Sequence, residues 1–158
     1  LQIAEEQKLP RIVSVQNPYN LVNRTYEIGM SEISIREKAG LLAYSPLAAG
    51  YLTGKYRKNK MPKNSRMDLF YDNYPRYHNQ RNYGAVEEYF KIAEKYKISL
   101  TQLSQAFVNS RDFVTSNIIG ATTMKQLKEN IDSINISLNE KIIEEINLVH
   151  ENIPNPAP

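Results

Sequence analysis

The chain contains no cysteine and only two histidines among 158 residues. The first absence excludes disulfide frameworks, thiolate nucleophiles and thiolate zinc sites, and it suits a reducing compartment. The second leaves His78 and His150 too distant in sequence for an ordinary zinc-ligand spacing. No stretch approaches the roughly 18 apolar residues needed to span a bilayer. No signal-peptide pattern is visible, and no internal repeat marks a solenoid. What is present, 41% apolar, 23% charged and 9% aromatic residues, is the composition of one soluble globular domain. The mean hydropathy of -0.53 is polar for such a domain, but a chain of this length buries about 70% of its unfolded surface, so a core is feasible.

The first residue is Leu1, and residues 1–9 read as the closing turns of a helix stopped by Pro10, so upstream sequence is expected to be missing. The net charge is +3. Its excess is local: residues 55–66 hold Lys55, Arg57, Lys58, Lys60, Lys63 and Arg66 with no acid. Such a stretch can grip phosphates of a nucleotide or a nucleic acid, or simply form a solvated basic loop.

Residues 11–16 are short and β-branched and end at Asn17-Pro18, which predicts a strand with Ser14 and Gln16 on one face and Gln16 at its C-terminal end. Residues 26–38 predict a helix with irregular apolar spacing at Ile28, Ile33 and Ile35, capped by Gly40. Residues 41–44 read as a buried strand closed by Ser45-Pro46. Residues 45–79 lack periodicity, and loops that long are usually functional or disordered. A helix is expected over residues 80–97 with Val86, Tyr89, Phe90, Ala93 and Tyr96 on its core face.

Two capping-box patterns follow. Ser99-Leu100-Thr101-Gln102 opens a helix to about residue 110 with Leu103, Ala106 and Phe107 inward. Thr123-Met124-Lys125-Gln126 opens one with Leu127, Ile131 and Ile134 on one face. Between them, residues 116–120 predict a third strand. A last helix runs from Asn139 through Ile142, Ile143, Ile146 and Val149, and a Pro-rich tail ends regular structure. The alternation predicts parallel β/α units with helices over the sheet. Three strands are too few for a whole (β/α)8 barrel, which takes about 200 residues at least.

The junction with most chemical content is Ile119-Gly120-Ala121-Thr122-Thr123, running from a strand to a helix N-terminus. Free N–H groups and the helix dipole favour an anion there. The other loop of this kind is Ser45-Pro46-Leu47-Ala48-Ala49-Gly50, which leads into the basic stretch. On spacing alone, an ordinary capped helix start fits equally well.

Here the residues resemble a known family. Gln16-Asn17-Pro18-Tyr19-Asn20, Tyr44 through Gly50, Leu52-Thr53-Gly54-Lys55-Tyr56 and Ile119 through Asn130 look like the second half of an aldo-keto reductase, in the family's order. Arg66-Met67-Asp68-Leu69-Phe70 and Pro75-Arg76-Tyr77 further resemble its bacterial Tas-type branch, related to the potassium-channel β subunits. The resemblance covers essentially the whole chain. It implies an α/β fold: the C-terminal part, about three β/α units, of a (β/α)8 TIM barrel, with residues 1–158 forming the NADP-binding half and the N-terminal half missing.

The resemblance also implies roles. Gln16 is expected to hydrogen-bond the nicotinamide carboxamide, since an amide offers a donor and an acceptor, and Tyr44 to lie against the nicotinamide ring. Ser45, Pro46, Leu47 and Ala48 match the loop over the pyrophosphate. Lys55 and Arg66 match basic contacts to cofactor phosphates, where a guanidinium can bond two oxygens. Gly120 and Thr122 match the turn at the adenosine phosphate, and Gln126, Glu129 and Asn130 the adenosine side, where i, i+3 and i+4 spacing brings them together.

The departures matter as much. The family's Asp, Tyr, Lys and His catalytic set belongs to the first half and is not in this chain, so no catalytic residue is expected and the chain alone is expected to be inactive. His78 and His150 read as surface residues. Ala121 stands where some members carry a basic side chain for the 2′-phosphate of NADP, a task that then falls to Lys125 or Arg66. The implied function is NADP-dependent carbonyl/alcohol hydride transfer in the cytoplasm, with NADP(H) as cofactor and a small-molecule carbonyl as substrate. A complementary N-terminal half or self-association is the expected partnership, with neither nucleic acid nor membrane. The alternative is a noncatalytic split-gene product or remnant that binds cofactor or a partner.

Overall fold

The computed structural model describes residues 1–158. Helix α1 (Gln2–Glu6) precedes β1 (Ser14–Pro18); α2 (Met30–Glu37) leads to β2 (Gly40–Tyr44); α3 (Arg66–Phe70), α4 (Gln80–Lys95) and α5 (Leu100–Asn109) lead to β3 (Val114–Asn117); α6 (Met124–Asp132) and α7 (Glu140–Asn152) close the chain. The strands form one parallel sheet in the order β1-β2-β3. With helices between successive parallel strands, this is an arc of a β/α barrel.

Side-chain alternation gives the sheet two unlike faces. Leu41 and Ala43 of β2 are fully buried on the helix side. Gln16, Leu42 and Ser116 share one register row, and Gln16 and Ser116 are exposed on the opposite face. Between Leu41 and Leu42 the β2–β3 register shifts, leaving Thr115 as an extra residue. That bulge crowds Gly40, where a Cβ would stand 1.8 Å from Thr115 Oγ1 and 3.1 Å from its Cβ. A glycine at the start of β2 is therefore a packing requirement.

Several sequence expectations shift. Gln16 lies mid-strand rather than at the end, because β1 continues to Pro18 and pairs with Tyr44. Helix α2 is capped by a left-handed Lys38 at φ 52°, which frees Gly40 to begin β2. The third strand ends at Asn117, so six residues separate it from α6. Helices α4 and α5 form as their periodicity requires. Tyr89, Ala93, Leu103 and Phe107 are buried, with Phe90 and Tyr96 packed on the core from the side. The Ser99 capping box closes in both directions, Ser99 Oγ accepting from Gln102 N and Gln102 Oε1 accepting from Ser99 N. By contrast, Ile131 on α6 is 55% exposed and Ile134, in the 3-10 turn that follows it, 67%. Their spacing is regular, but no strand or helix of the fold covers them.

Residues 45–79 are ordered by their own aromatic cluster, linked by short 3-10 turns. Tyr51 packs on Tyr56 and Tyr77 with centroids at 5.0 and 5.5 Å. Tyr51 Oη donates to His78 Nδ1 at 2.9 Å, while His78 Nε2–H donates to the Tyr71 carbonyl at 2.8 Å. The carbonyl can only accept, so His78 carries its proton on Nε2 and is a clasp in this loop rather than a surface residue. Burial raises the Tyr51 hydroxyl well above its ordinary value, with added repulsion from nearby phenols.

The C-terminal tail is docked without regular structure. Arg24 N donates to Asn155 Oδ1 at 2.7 Å, Ala157 N to the Val22 carbonyl at 3.2 Å, and Asn79 Nδ2 to the Pro156 carbonyl at 3.0 Å.

Candidate functional site

The site begins at the C-terminal end of β2. Tyr44 is 37% exposed. The turn after it is held from β1's side: buried Asn20 donates from Nδ2 to the Ser45 carbonyl at 2.9 Å, and Tyr19 N donates to the Tyr44 carbonyl at 3.3 Å. Asn20 carried no assigned role in the sequence reading. Its only signal was membership of the motif that begins at Gln16.

The turn itself stores backbone strain. Ser45, Ala48 and Ala49 have φ of 55°, 48° and 54°, followed by Gly50 at 102°. A left-handed non-glycine residue costs about 1–2 kcal/mol. Pro46 and Ala48 are buried, with Leu47 half-buried. Ala48 N donates to the Ser45 carbonyl and Gly50 N to the Leu47 carbonyl, and Thr53 Oγ1 caps the Gly50 carbonyl at 2.7 Å. Strain of this kind persists where surrounding structure over-determines it, commonly at ligand-holding turns.

The basic stretch divides into used and free cations. Arg57 is spent on structure: it pairs bidentately with Glu87 at 2.9 and 2.8 Å, and its guanidinium lies 3.1 Å from the Phe90 ring centre. That pair holds the Glu87 carboxyl below the ordinary range. Lys55 forms no salt bridge in the chain. Its stem lies over the strained turn, with Cε and Nζ 3.0 and 3.2 Å from where a Gly50 Cβ would stand, and its ammonium sits 5.1 Å from the Tyr56 ring centre. Arg66, exposed at the start of α3, makes no ion pair and lies 5.9 Å from the Tyr74 ring centre.

The second half of the site follows β3. Because β2 and β3 are hydrogen-bonded neighbours running in parallel, their C-terminal turns emerge side by side. Ile118 N continues the pairing to the Ala43 carbonyl at 2.8 Å. Gly120 is exposed, with open space where a Cβ would project. Thr123 caps α6, its side chain accepting from Gln126 N at 3.2 Å. The capping box is not closed, because Gln126 Oε1 turns instead to Thr122, accepting from its N and Oγ1 at 2.9 and 3.0 Å.

Gln126, Glu129 and Asn130 do not present one common edge. Gln126 is exposed and engaged with Thr122, and Glu129 accepts from Ser99 Oγ at 2.6 Å. Asn130, 6% exposed, donates from Nδ2 to the Gly120 carbonyl at 3.2 Å and accepts on Oδ1 from Gln105 Nε2 at 3.3 Å. Gln16 lies apart, on the sheet's open face, one strand from Leu42 and two residues below the level of Tyr44. The arrangement thus offers an accessible aromatic surface, a strained turn with an unpaired lysine, and the N–H end of a helix, all at one end of two adjacent strands. Those are the parts an extended anionic ligand with a planar ring requires.

Comparison with known proteins agrees with this geometry. Residues 1–151 match the model of the aldo/keto reductase family. The protein Tas of Escherichia coli (strain K12) is 44% identical over 158 residues, all of this chain and 45% of that protein. A probable voltage-gated potassium channel subunit beta of Arabidopsis thaliana is 36% identical over 104 residues, 61% of this chain and 30% of that one. Among solved structures, a glycerol dehydrogenase from Gluconobacter oxydans superposes with a TM-score of 0.76 at 23% identity, covering 98% of this chain and 47% of its own. The chain thus spans about half the length of the relatives it matches. With its sheet an arc of their barrel and its motifs in their order, the chain belongs to the aldo/keto reductase family.

Proposed function

We propose that this chain supplies the cofactor-holding part of an NADP(H)-dependent oxidoreductase that interconverts small carbonyl compounds and alcohols. The observation that carries the reading is the side-by-side emergence of two turns from β2 and β3, one bearing Tyr44 and the unpaired Lys55, the other leading to the N-terminus of α6. When bound, the nicotinamide supplies or receives the hydride. Tyr44 gives its ring a flat support on the sheet's open face, and Gln16 offers its amide to the carboxamide from β1. The turn at Ser45, Pro46, Leu47 and Ala48 and the Lys55 ammonium hold the pyrophosphate. Arg66 takes a further phosphate, and Gly120, Thr122, Gln126, Glu129 and Asn130 form the adenosine side. We place the protein in the cytoplasm; no helix is long and apolar enough to cross a membrane.

In this reading the proton donor comes from outside the chain; the buried Tyr51 and Tyr89 hydroxyls already donate to His78 and to the Leu21 carbonyl. The chain alone is therefore inactive in this reading, and its partner is a complementary first-half chain that pairs with the open edges of β1 and β3. The exposed Ile131 on α6 and Ile134 just after it, and Ile12 and Val13 before β1, favour such a partner. Titration of the purified chain with NADPH, followed by nucleotide fluorescence, tests binding. Lys55→Met is expected to weaken it about tenfold, the worth of one charge-assisted contact. Absence of NADPH binding in a folded chain refutes the cofactor reading, and robust carbonyl-dependent NADPH oxidation refutes the inactivity.

A second reading, a noncatalytic binding module, rests on the same open edges. Sedimentation velocity separates them from a self-sufficient domain: a stable monomer at low concentration counts against any need for a partner.

A further inference from the structure

We propose that Gln105 is a positioning residue for the adenosine side of the site, acting through a buried chain of side-chain amides that ends on the Gly120 carbonyl; this rests on the cofactor reading above. Asn117, at the end of β3, donates from Nδ2 to both Asn109 Oδ1 and Gln105 Oε1, at 2.9 and 2.7 Å. Gln105 Nε2 donates to Asn130 Oδ1 at 3.3 Å, and Asn130 Nδ2 donates to the Gly120 carbonyl at 3.2 Å. Donors run in one direction from Asn117 to the turn, so no single amide in the series can flip without setting donor against donor or acceptor against acceptor.

The series is costly where it starts. Gln105 is completely buried, and Asn117 Oδ1 is buried with no partner. An apolar side chain at Asn117 would remove that unpaired oxygen but would take the donor from Gln105 Oε1, and one at Gln105 would take the donor from Asn130 Oδ1. What the amides provide lies at the other end. The turn after β3 belongs to no helix or strand, and Gly120 has open space around it. Its backbone is tied at Ile118, which continues the sheet to Ala43, at the Gly120 carbonyl, and at Thr122 N, which meets exposed Gln126; the Gly120 carbonyl is the point at which a buried side chain, Asn130, holds the turn. Asn130 spends one N–H and one lone pair in the series, which fixes the orientation of the remaining N–H and lone pair. Gln105 thereby sets both the height of the turn and the orientation of that remaining pair.

Gln105→Met matches the length of glutamine and removes both hydrogen bonds. In the purified chain its Kd for adenosine 2′,5′-bisphosphate is expected to rise about tenfold. The Kd for nicotinamide mononucleotide should stay within about twofold, since that half of the site is built on β2. An unchanged adenosine-side Kd in the folded variant overturns the proposal, as does an equal loss for both halves, which would mark general destabilisation. Hydrogen exchange gives a readout independent of ligand: slow exchange at the Asn130 side-chain amide and at Thr122 N–H is expected in the unsubstituted chain and loss of both in Gln105→Met. If Gln105→Met does not fold, an Asn130 amide that exchanges as fast as free asparagine in the unsubstituted chain overturns the proposal, and slow exchange supports it. If the unsubstituted chain binds neither nucleotide, the cofactor reading fails separately, and unchanged Thr122 protection in Gln105→Met then overturns the positioning role.

Discussion

Replacing Arg24 by methionine tests what holds the two ends of the arc together. Arg24 is 7% exposed, pairs with Glu27 through Nε and Nη2 at 2.8 Å each, and donates from Nη1 to Asn147 Oδ1 of α7 at 2.9 Å. Its guanidinium also lies 5.1 Å from the Phe107 ring centre, and its backbone N–H holds Asn155 of the tail. Removing one partner of a buried pair costs about 3–5 kcal/mol, because the other charge stays buried. The Glu27 side chain keeps 28% of its exposure, so water recovers part of that loss. The expected destabilisation is about 2–3 kcal/mol, a fall in Tm of roughly 5–10 °C for a chain of this size.

Burial alone would raise the Glu27 carboxyl, but hydrogen bonds from Arg24 and Tyr19, with the Arg24 charge, hold it below the ordinary range. A carboxyl lowered by folding contributes stability above its unfolded pKa, which is lost as pH falls through the lower folded value. Arg24→Met should therefore start acid unfolding at higher pH. Urea and thermal denaturation followed by circular dichroism measure both effects. Adding Glu27→Gln should restore about half of the loss, since Tyr19 still has an acceptor and no unpaired charge remains. A loss under about 1 kcal/mol, or no recovery in the double variant, refutes the view of Arg24 as a buried clamp.

Three further outcomes are expected. Gly50→Ala forces a side chain onto φ 102° and against Lys55 Cε at 3.0 Å, so it should lower stability by about 1–3 kcal/mol and weaken NADPH binding more than Gly120→Ala, where the Cβ meets nothing. Thr123→Ala removes the cap of α6 and should cost about 1 kcal/mol, read by chemical denaturation. His150 has its imidazole pKa lowered, first by burial and then by the Arg24 charge against opposing Glu27 and Glu151, and its Nδ1 is buried without a partner. The unfolded state then binds more protons between the folded value and the ordinary 6.5, so stability should fall as pH drops through that window. His150→Gln should flatten this segment of the stability-against-pH curve, and an unchanged slope would refute the assignment.

The basic stretch shows how the fold differentiates charges that composition leaves alike. Composition marks six cations without distinguishing them. The structure spends Arg57 on Glu87 and the Phe90 ring and leaves Lys55 unpaired over a strained turn. In the proposed reading the phosphate contact falls to Lys55 because, of the five cations in the stretch without an ion pair, its stem lies over the strained turn at Gly50.

Much of this architecture was legible in the residues themselves. Helices α4, α5 and α7 follow from periodicity, the last two also from their Ser99 and Asn139 caps, because a one-sided apolar stripe and a side-chain acceptor for free N–H groups are local properties; the Asn79 cap of α4 was found only in the structure. The motifs at Gln16, Tyr44 and Gly120 marked the family for a similar reason, being contiguous segments that each form one turn. What only the tertiary structure decided involves partners far apart in sequence. Ile131 and Ile134 look like core by spacing and are exposed, because burial depends on whether a neighbouring layer exists. Asn20 and Gln105 carried no local sign of their roles, since each acts by a hydrogen bond to a residue about 25 positions away. A sequence specifies which groups are able to pair; only the folded chain determines which of them meet.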